Sequence, residues 1–230
     1  MPVFLAGVGL ARSLAAARGV PLYLTSHQQG HVRAAMVDAG LPEGEPFLAV
    51  HLSGGTTELL KVEGLNIDLL GGSRDLHAGQ FVDRAGVRMG LGFPAGPELE
   101  RLARKGKAQS VLPSWVRGMD CSFSGAETQV QRLIEQGERS HEDLAAEVFS
   151  CIARTLAKML GEPVRQTGLG HILLSGGVAS STYLREILPG RMERAHVRAA
   201  LHWGKPELSG DNAAGVALIG SEWHKWNPND

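Results

Sequence analysis

The chain has 230 residues, 43% of them hydrophobic, enough to bury the core of one large domain or two small ones, which excludes a disordered or fibrous chain. Its 23 Lys and Arg nearly balance 24 Asp and Glu, giving a net charge of -1 that excludes any global attraction to nucleic acid or an anionic membrane and leaves such contacts to local patches. Cys121 and Cys151 are the only cysteines and lack C-x-x-C spacing, so a disulfide framework is excluded and a reducing, cytoplasmic setting is expected.

The opening stretch is apolar, but Arg12 and Arg18 interrupt it, so neither a signal peptide nor a membrane span is read there. In "VGLARSLAAARG" the apolar residues recur at helical spacing and Gly19 supplies a stop, which predicts a core-facing helix. "VPLYL", residues 20 to 24, reads as a short buried strand. "GHVRAAMVDAG" reads as a second helix ending at Gly40, and "LPEGEP" as a connector with a boundary near residue 45. From residue 47, "FLAVHLSGGTTELLKVEGLNIDLLGGSRD" alternates β-rich runs with glycine turns, predicting a hairpin and a third strand. Helices are expected in "GQFVDRAGVRMG", "GPELERLARKG", "GAETQVQRLIEQG" and "HEDLAAEVFSCIARTLAKML". A buried strand follows in "HILLSGG" and a closing helix in "DNAAGVALIGSEW". Strands alternating with helices place the chain in the α/β class, with no internal repeat.

Three features carry chemistry. "HLSGGTTEL" and "LLSGGVASS" share one plan, a β-rich run entering a Ser-Gly-Gly turn, where backbone N–H groups meet phosphate oxygens without a Cβ in the way. One such turn is explained by a hairpin or a strand-to-helix corner alone; the pair suggests a nucleotide held between two lobes. The second feature is His27 and His31, four positions apart and on one face of a helix. With Asp211 they make a two-histidine, one-carboxylate set suited to Fe2+ or Zn2+, although Asp211 alone is better explained as a helix N-cap. A metalloprotease is disfavoured, because the position of the general base holds Gln28 and Gly30 interrupts the helix. Third, basic residues cluster in "RLARKGK" (Arg101, Arg104, Lys105, Lys107) and "RMERAHVRAA" (Arg191, Arg194, Arg198), a pattern that is more often a solvated face than a nucleic-acid groove.

Taken in order, "SHQQGH", "HLSGGTTEL", "AGQFVDRAGVRMGLGFPAGP", "CSFSGAET", "LLSGGVASS" and "SGDNAAG" resemble the tRNA threonylcarbamoyladenosine transferase family, TsaD, once labelled glycoprotease. The resemblance implies the actin-like ATPase fold, two ribonuclease H-like lobes around a nucleotide cleft. It also implies transfer of threonylcarbamoyl from its adenylate to N6 of the tRNA adenosine beside the anticodon. Carried over by motif, His27, His31 and Asp211 hold one divalent metal ion, Fe2+ or Zn2+. Ser53, Gly54, Gly55, Thr56 and Thr57 line the phosphate and acyl region of the threonylcarbamoyl-AMP or ATP-like ligand. Asp83 and Gly96 hold its ribose and adenine side, with Gly177 and Ser181 at the second turn. On this basis residues 1–45 are a remnant of the first lobe, 46–210 the second lobe, and 211–230 a helix returning to the first.

The chain departs from the family pattern at Thr56 (usually His), Gln80 (Glu), Glu127 (Lys) and Ser181 (Asn). These changes keep a non-catalytic or altered-substrate paralogue open, as well as a small-molecule carbamoyltransferase. The segment that carries the first strands of lobe one in the family is missing here, so the expectation is either a truncated start or a sheet completed by a partner, a TsaB-like subunit or a second copy, with tRNA as the other partner and no membrane.

Overall fold

The computed structural model describes residues 2–208, 210 and 213–226. Helices α1 (Pro2–Arg18) and α2 (His27–Met36) precede the strands β1 (Phe47–Leu52), β2 (Thr57–Glu63) and β3 (Asn66–Gly72). Helices α3 (Ala78–Arg88) and α4 (Gly96–Ala103) follow, then the short hairpin β4 (Trp115–Arg117) and β5 (Asp120–Ser122), and helices α5 (Ser124–Gln136) and α6 (His141–Thr167). Strand β6 (His171–Ser175), helix α7 (Thr182–Arg194), strand β7 (Ala200–Trp203) and helix α8 (Ala213–Trp226) complete the order.

The strands form one sheet in the order β3-β2-β1-β6-β7, antiparallel across β1, β2 and β3 and parallel across β1, β6 and β7. "FLAVHL" is buried at five of six positions because helices cover both faces of β1, which is why it reads as a continuous apolar run rather than an alternation. One face carries α2, whose Val32 and Ala35 pack on Phe47, Ala49, Leu60, Val62 and Leu173. The other face carries the larger core, built around Phe81, Phe123, Phe149 and the length of α6. Ser140 caps α6 by accepting the Asp143 N–H at 3.1 Å, and Gly168 ends it at φ 70°, a conformation glycine takes at no steric cost. The mixed α/β architecture is the one expected, and among the described residues no helix is long and apolar enough to cross a membrane.

Two local expectations are overturned. Residues 20 to 24 form no strand, and Val20, Leu22 and Leu24 are exposed. Pro21 offers no ladder N–H, and the segment is held by Tyr23 stacking on Trp223 of α8, with ring centroids 5.2 Å apart, instead of by strand pairing. α1 is a helix but does not face the core: Leu5, Val8, Leu10 and Leu14 stay exposed, since apolar residues on all sides leave no single stripe to bury. The sequence reading did not anticipate α7, whose Pro189 and Gly190 look like breakers, nor the short strands β4, β5 and β7.

Candidate active site

Both Ser-Gly-Gly turns lie side by side at one end of the sheet. β1 and β6 are parallel neighbours with His51 opposite Ser175, so the turns leave adjacent strands of a single sheet. The first turn closes the β1–β2 hairpin, the Ser53 N–H donating to the Thr56 carbonyl at 2.8 Å and the Gly55 N–H to Ser53 Oγ at 3.3 Å. At the second, Gly176 has φ +94°, and a Cβ there would run into the Leu52 carbonyl, which also accepts the Val178 N–H at 3.0 Å. Helix α3 starts against the first turn: the Gly79 N–H donates to the Ser53 carbonyl at 3.1 Å and the Ala78 N–H to Thr57 Oγ1 at 2.9 Å. Thr57 is therefore turned inward and buried, fixing the helix start.

Beyond these turns opens a cavity of about 360 Å³, within the range of small-molecule sites. Gly54, Asp83, Gly96, Gly177 and Ser181 all line it, joined by Glu100. Asp83 accepts the Ala95 N–H at 2.8 Å, which fixes the turn between α3 and α4. Ser181 accepts the Leu184 N–H at 3.2 Å and so caps α7. Glu100 was not visible to sequence reading, because "GPELERLARKG" looks like a solvated amphipathic helix. Its carboxylate accepts the Thr182 hydroxyl at 2.6 Å and the Tyr183 N–H at 2.9 Å, joining α4 to the start of α7. Burial works to raise this carboxyl, but those hydrogen bonds, Ser181 and Arg104 hold it below its ordinary value.

On the opposite face of the sheet a second cavity of about 360 Å³ is lined by His27, His31, His51, Thr56 and Glu58. Ser26 caps α2 in a reciprocal capping box with Gln29, so the first histidine sits in the first turn of a well-started helix. The His27 and His31 rings stand edge to face with centroids 4.4 Å apart, and His51 lies 5.2 Å from His31 with Nδ1 3.1 Å from Ser175 Oγ. Burial, then His31 and His27, push the His51 pKa down to about 4, so this ring is neutral near pH 7. The only sequence signal for it was a polar residue inside an apolar strand. Asp211, the expected third metal ligand, lies outside the described residues. Among the described residues no three His, Cys, Asp or Glu side chains form a group that would hold a metal ion. The His27–His31 pair, two imidazoles one helical turn apart on a cavity wall, supplies donor chemistry that fits Fe2+ or Zn2+ when a carboxylate completes it.

The departing residues are placed as follows. Gln80 Oε1 accepts the His77 N–H at 3.1 Å at the start of α3, and buried Glu127 pairs with Arg84 at 3.9 Å. Within the basic runs, Arg104 binds Glu186 at 3.0 Å and also Thr182, and Arg191 donates to Ser150 at 2.9 Å. In the "CSFSG" motif, Ser122 and Ser124 both donate to Asp75 at 2.5 Å, with the Phe123 N–H at 3.2 Å. Burial opposes its ionisation, but these donors and the Leu76 N–H lower the Asp75 carboxyl from 3.8 to about 2. Unfolded Asp75 takes up its proton near pH 3.8 and folded Asp75 only near pH 2, so its contribution to stability is present above pH 3.8 and lost as pH falls towards 2. Asp75→Asn is therefore expected to lower the urea midpoint at pH 7 and to flatten its dependence on pH between 4 and 2. An unchanged slope in that window would remove Asp75 from the acid response.

The profile of the TsaD family, tRNA N6-adenosine threonylcarbamoyltransferase, matches residues 4–218. The chain belongs to the TsaD family. A curated relative, the tRNA N6-adenosine threonylcarbamoyltransferase of Verminephrobacter eiseniae (strain EF01-2), is 38% identical over 223 residues. That match covers 93% of this chain and 64% of the relative, so this TsaD-family chain spans a little under two thirds of its relative's length. Among solved structures, HypF from T. kodakarensis superposes with a TM-score of 0.69 at 17% identity, over 95% of this chain and 39% of HypF. Full-length HypF in a phosphate- and nucleotide-bound form gives 0.63 at 14% identity, over 89% and 37%. At such identities the likeness concerns the fold, and it agrees with the actin-like architecture of the TsaD family.

Proposed function

We propose that this chain transfers a threonylcarbamoyl group from its adenylate to N6 of the tRNA adenosine beside the anticodon; the name of its curated relative supports transfer to N6 of a tRNA adenosine, and the family resemblance supports the donor and the position. The observation that carries the reading is the convergence of Gly54, Asp83, Gly96, Gly177 and Ser181 on one cavity, with Thr56 and the His27–His31 pair on the other side of the same turn. The adenylate is already an activated mixed anhydride, so the protein's task is orientation and charge stabilisation, without a nucleophilic side chain. Ser53, Gly54 and Gly55 present a turn to the phosphate, and Asp83 and Gly96 hold the nucleoside. The N6 amine attacks the carbamoyl carbon, a C–N bond forms, the C–O bond to phosphate breaks, and AMP leaves while the amine proton passes to water or phosphate. His27, His31 and Asp211 would hold one Fe2+ or Zn2+, which would supply Lewis-acid stabilisation of negative charge on the phosphate. tRNA is the acceptor, and a TsaB-like subunit or a second copy of the chain is the partner.

Incubation with threonylcarbamoyl adenylate and tRNA, followed by nucleoside mass spectrometry, tests this. The chain is expected to form the modified adenosine, and a His27→Ala, His31→Ala variant to lose both bound metal and product. A second reading is favoured by Ser181, whose hydroxyl is already engaged as the cap of α7: a paralogue that binds the nucleotide without transfer to tRNA. Nucleotide binding with no modified tRNA decides for that reading. Carbamoylated small molecules in the product mixture decide for a small-molecule transferase instead.

A further inference from the structure

Outside the Gly54 turn lies a wider cavity of about 730 Å³, which shares Gly54 and Asp83 with the smaller one. One wall is a single stripe of α3, Gln80, Asp83, Arg84, Val87 and Arg88, spaced three and four residues apart so that all five share a face. Phe93, carried on the turn between α3 and α4, is the remaining aromatic element and is 79% exposed. That turn is not loose, since its Ala95 N–H is bound by Asp83 at 2.8 Å. The two guanidiniums are held too, Arg84 by Glu127 at 3.9 Å and Arg88 by Glu135 at 2.5 Å, yet both side chains remain at least half exposed. A guanidinium has five N–H donors, so one carboxylate leaves others directed outward.

An exposed flat ring beside two held guanidiniums is the chemistry that binds single-stranded nucleic acid: bases stack on the ring and phosphates take charge-assisted bonds from arginine. Location argues the same way. This cavity and the smaller one share Gly54 and Asp83 in their linings, so they meet along the first glycine turn. An acyl acceptor has to reach the carbamoyl carbon while the adenylate fills the smaller cavity, so it must enter from a space continuous with it.

Resting on the transfer reading above, we infer that the outer cavity is the acceptor site and takes unpaired nucleotides of an RNA loop, one base stacked on Phe93 and a neighbouring phosphate held by Arg84 and Arg88. The full chain is titrated into a labelled anticodon stem-loop RNA and, separately, AMP binding is followed by calorimetry. Phe93→Ala is expected to weaken RNA binding about 5- to 150-fold, the usual loss for one stacked base, while Phe93→Tyr retains it. Arg84→Ala with Arg88→Ala is expected to reduce the slope of log K against log salt by roughly 1.4, the value for two phosphates of a single strand. AMP affinity is expected to stay the same in every variant. RNA bound equally well by the Phe93 and arginine variants overturns the inference alone. Losses of RNA and AMP binding that move together also overturn it, by assigning the cavity to the adenylate. A wild-type chain that binds AMP but no RNA overturns both this inference and the transfer reading.

Discussion

Gly79→Ala is expected to weaken AMP binding by roughly 5- to 150-fold, the equivalent of the 1–3 kcal/mol that overpacking a close contact usually costs. A Cβ at this position would lie 2.6 Å from both the Gly54 nitrogen and the Ser53 carbonyl carbon, and 2.7 Å from Gly54 Cα. Every atom it meets is backbone, so no side chain can swing aside. Either the first turn of α3 or the Ser53–Gly54 turn has to move, and both are fixed through Thr57, whose buried hydroxyl holds the Ala78 N–H. The displaced turn is the one shared by the two cavities on this face of the sheet. Calorimetric titration with AMP reads the effect, and affinity equal to that of the unaltered chain would show that the turn relaxes freely and that α3 does not set its position.

Gly215→Ala is expected to lower Tm by roughly 2–12 °C, from 1–3 kcal/mol of overpacking in a chain of this size. Helices α2 and α8 cross at this point: the added Cβ would run into the Gly30 carbonyl and come 2.8 Å from the Ala34 nitrogen. Gly30 looked like an interruption of the histidine helix in the sequence, but it is buried and lets α8 approach. Forcing the helices apart also disturbs the Arg33–Glu222 pair across them. Gly220→Ala, further along α8 and with nothing within 4 Å of its Cβ, supplies the contrast and is expected to stabilise by about 0.5–1 kcal/mol. Scanning calorimetry of the two variants side by side checks both signs, and equal melting would sink the account of the crossing.

Local patterns were enough where local forces decide. The runs at 47–52 and 171–175 declared buried strands because both faces are covered, and the long apolar periodicity from 141 declared α6. What stayed hidden depends on partners distant in the chain. The pairing of β1 with β6 joins residues more than a hundred positions apart, and no local window shows that it brings both glycine turns together. The segment at 20–24 has strand composition but meets an aromatic ring of α8 in place of a strand edge. α7 survives Pro189 and Gly190 because Leu184, Leu188 and Met192 are buried against the core. Within the site, motif order supplied Gly54, Gly96, Gly177 and Asp83, which the fold gathers on one cavity. His51 and Glu100 were illegible, because each acquires its environment only across the fold, one from α2 and Ser175 and the other from the start of α7.

The Leu52 carbonyl, facing Gly176 and bonded to the Val178 N–H, has a consequence for dynamics. Binding turns usually belong to the least stable parts of a protein and open on their own. Here the two turns are fastened to each other and to the centre of the sheet, so they open only in the cooperative unit that contains β1 and β6. The glycine turns thereby keep one shape for as long as the sheet is folded.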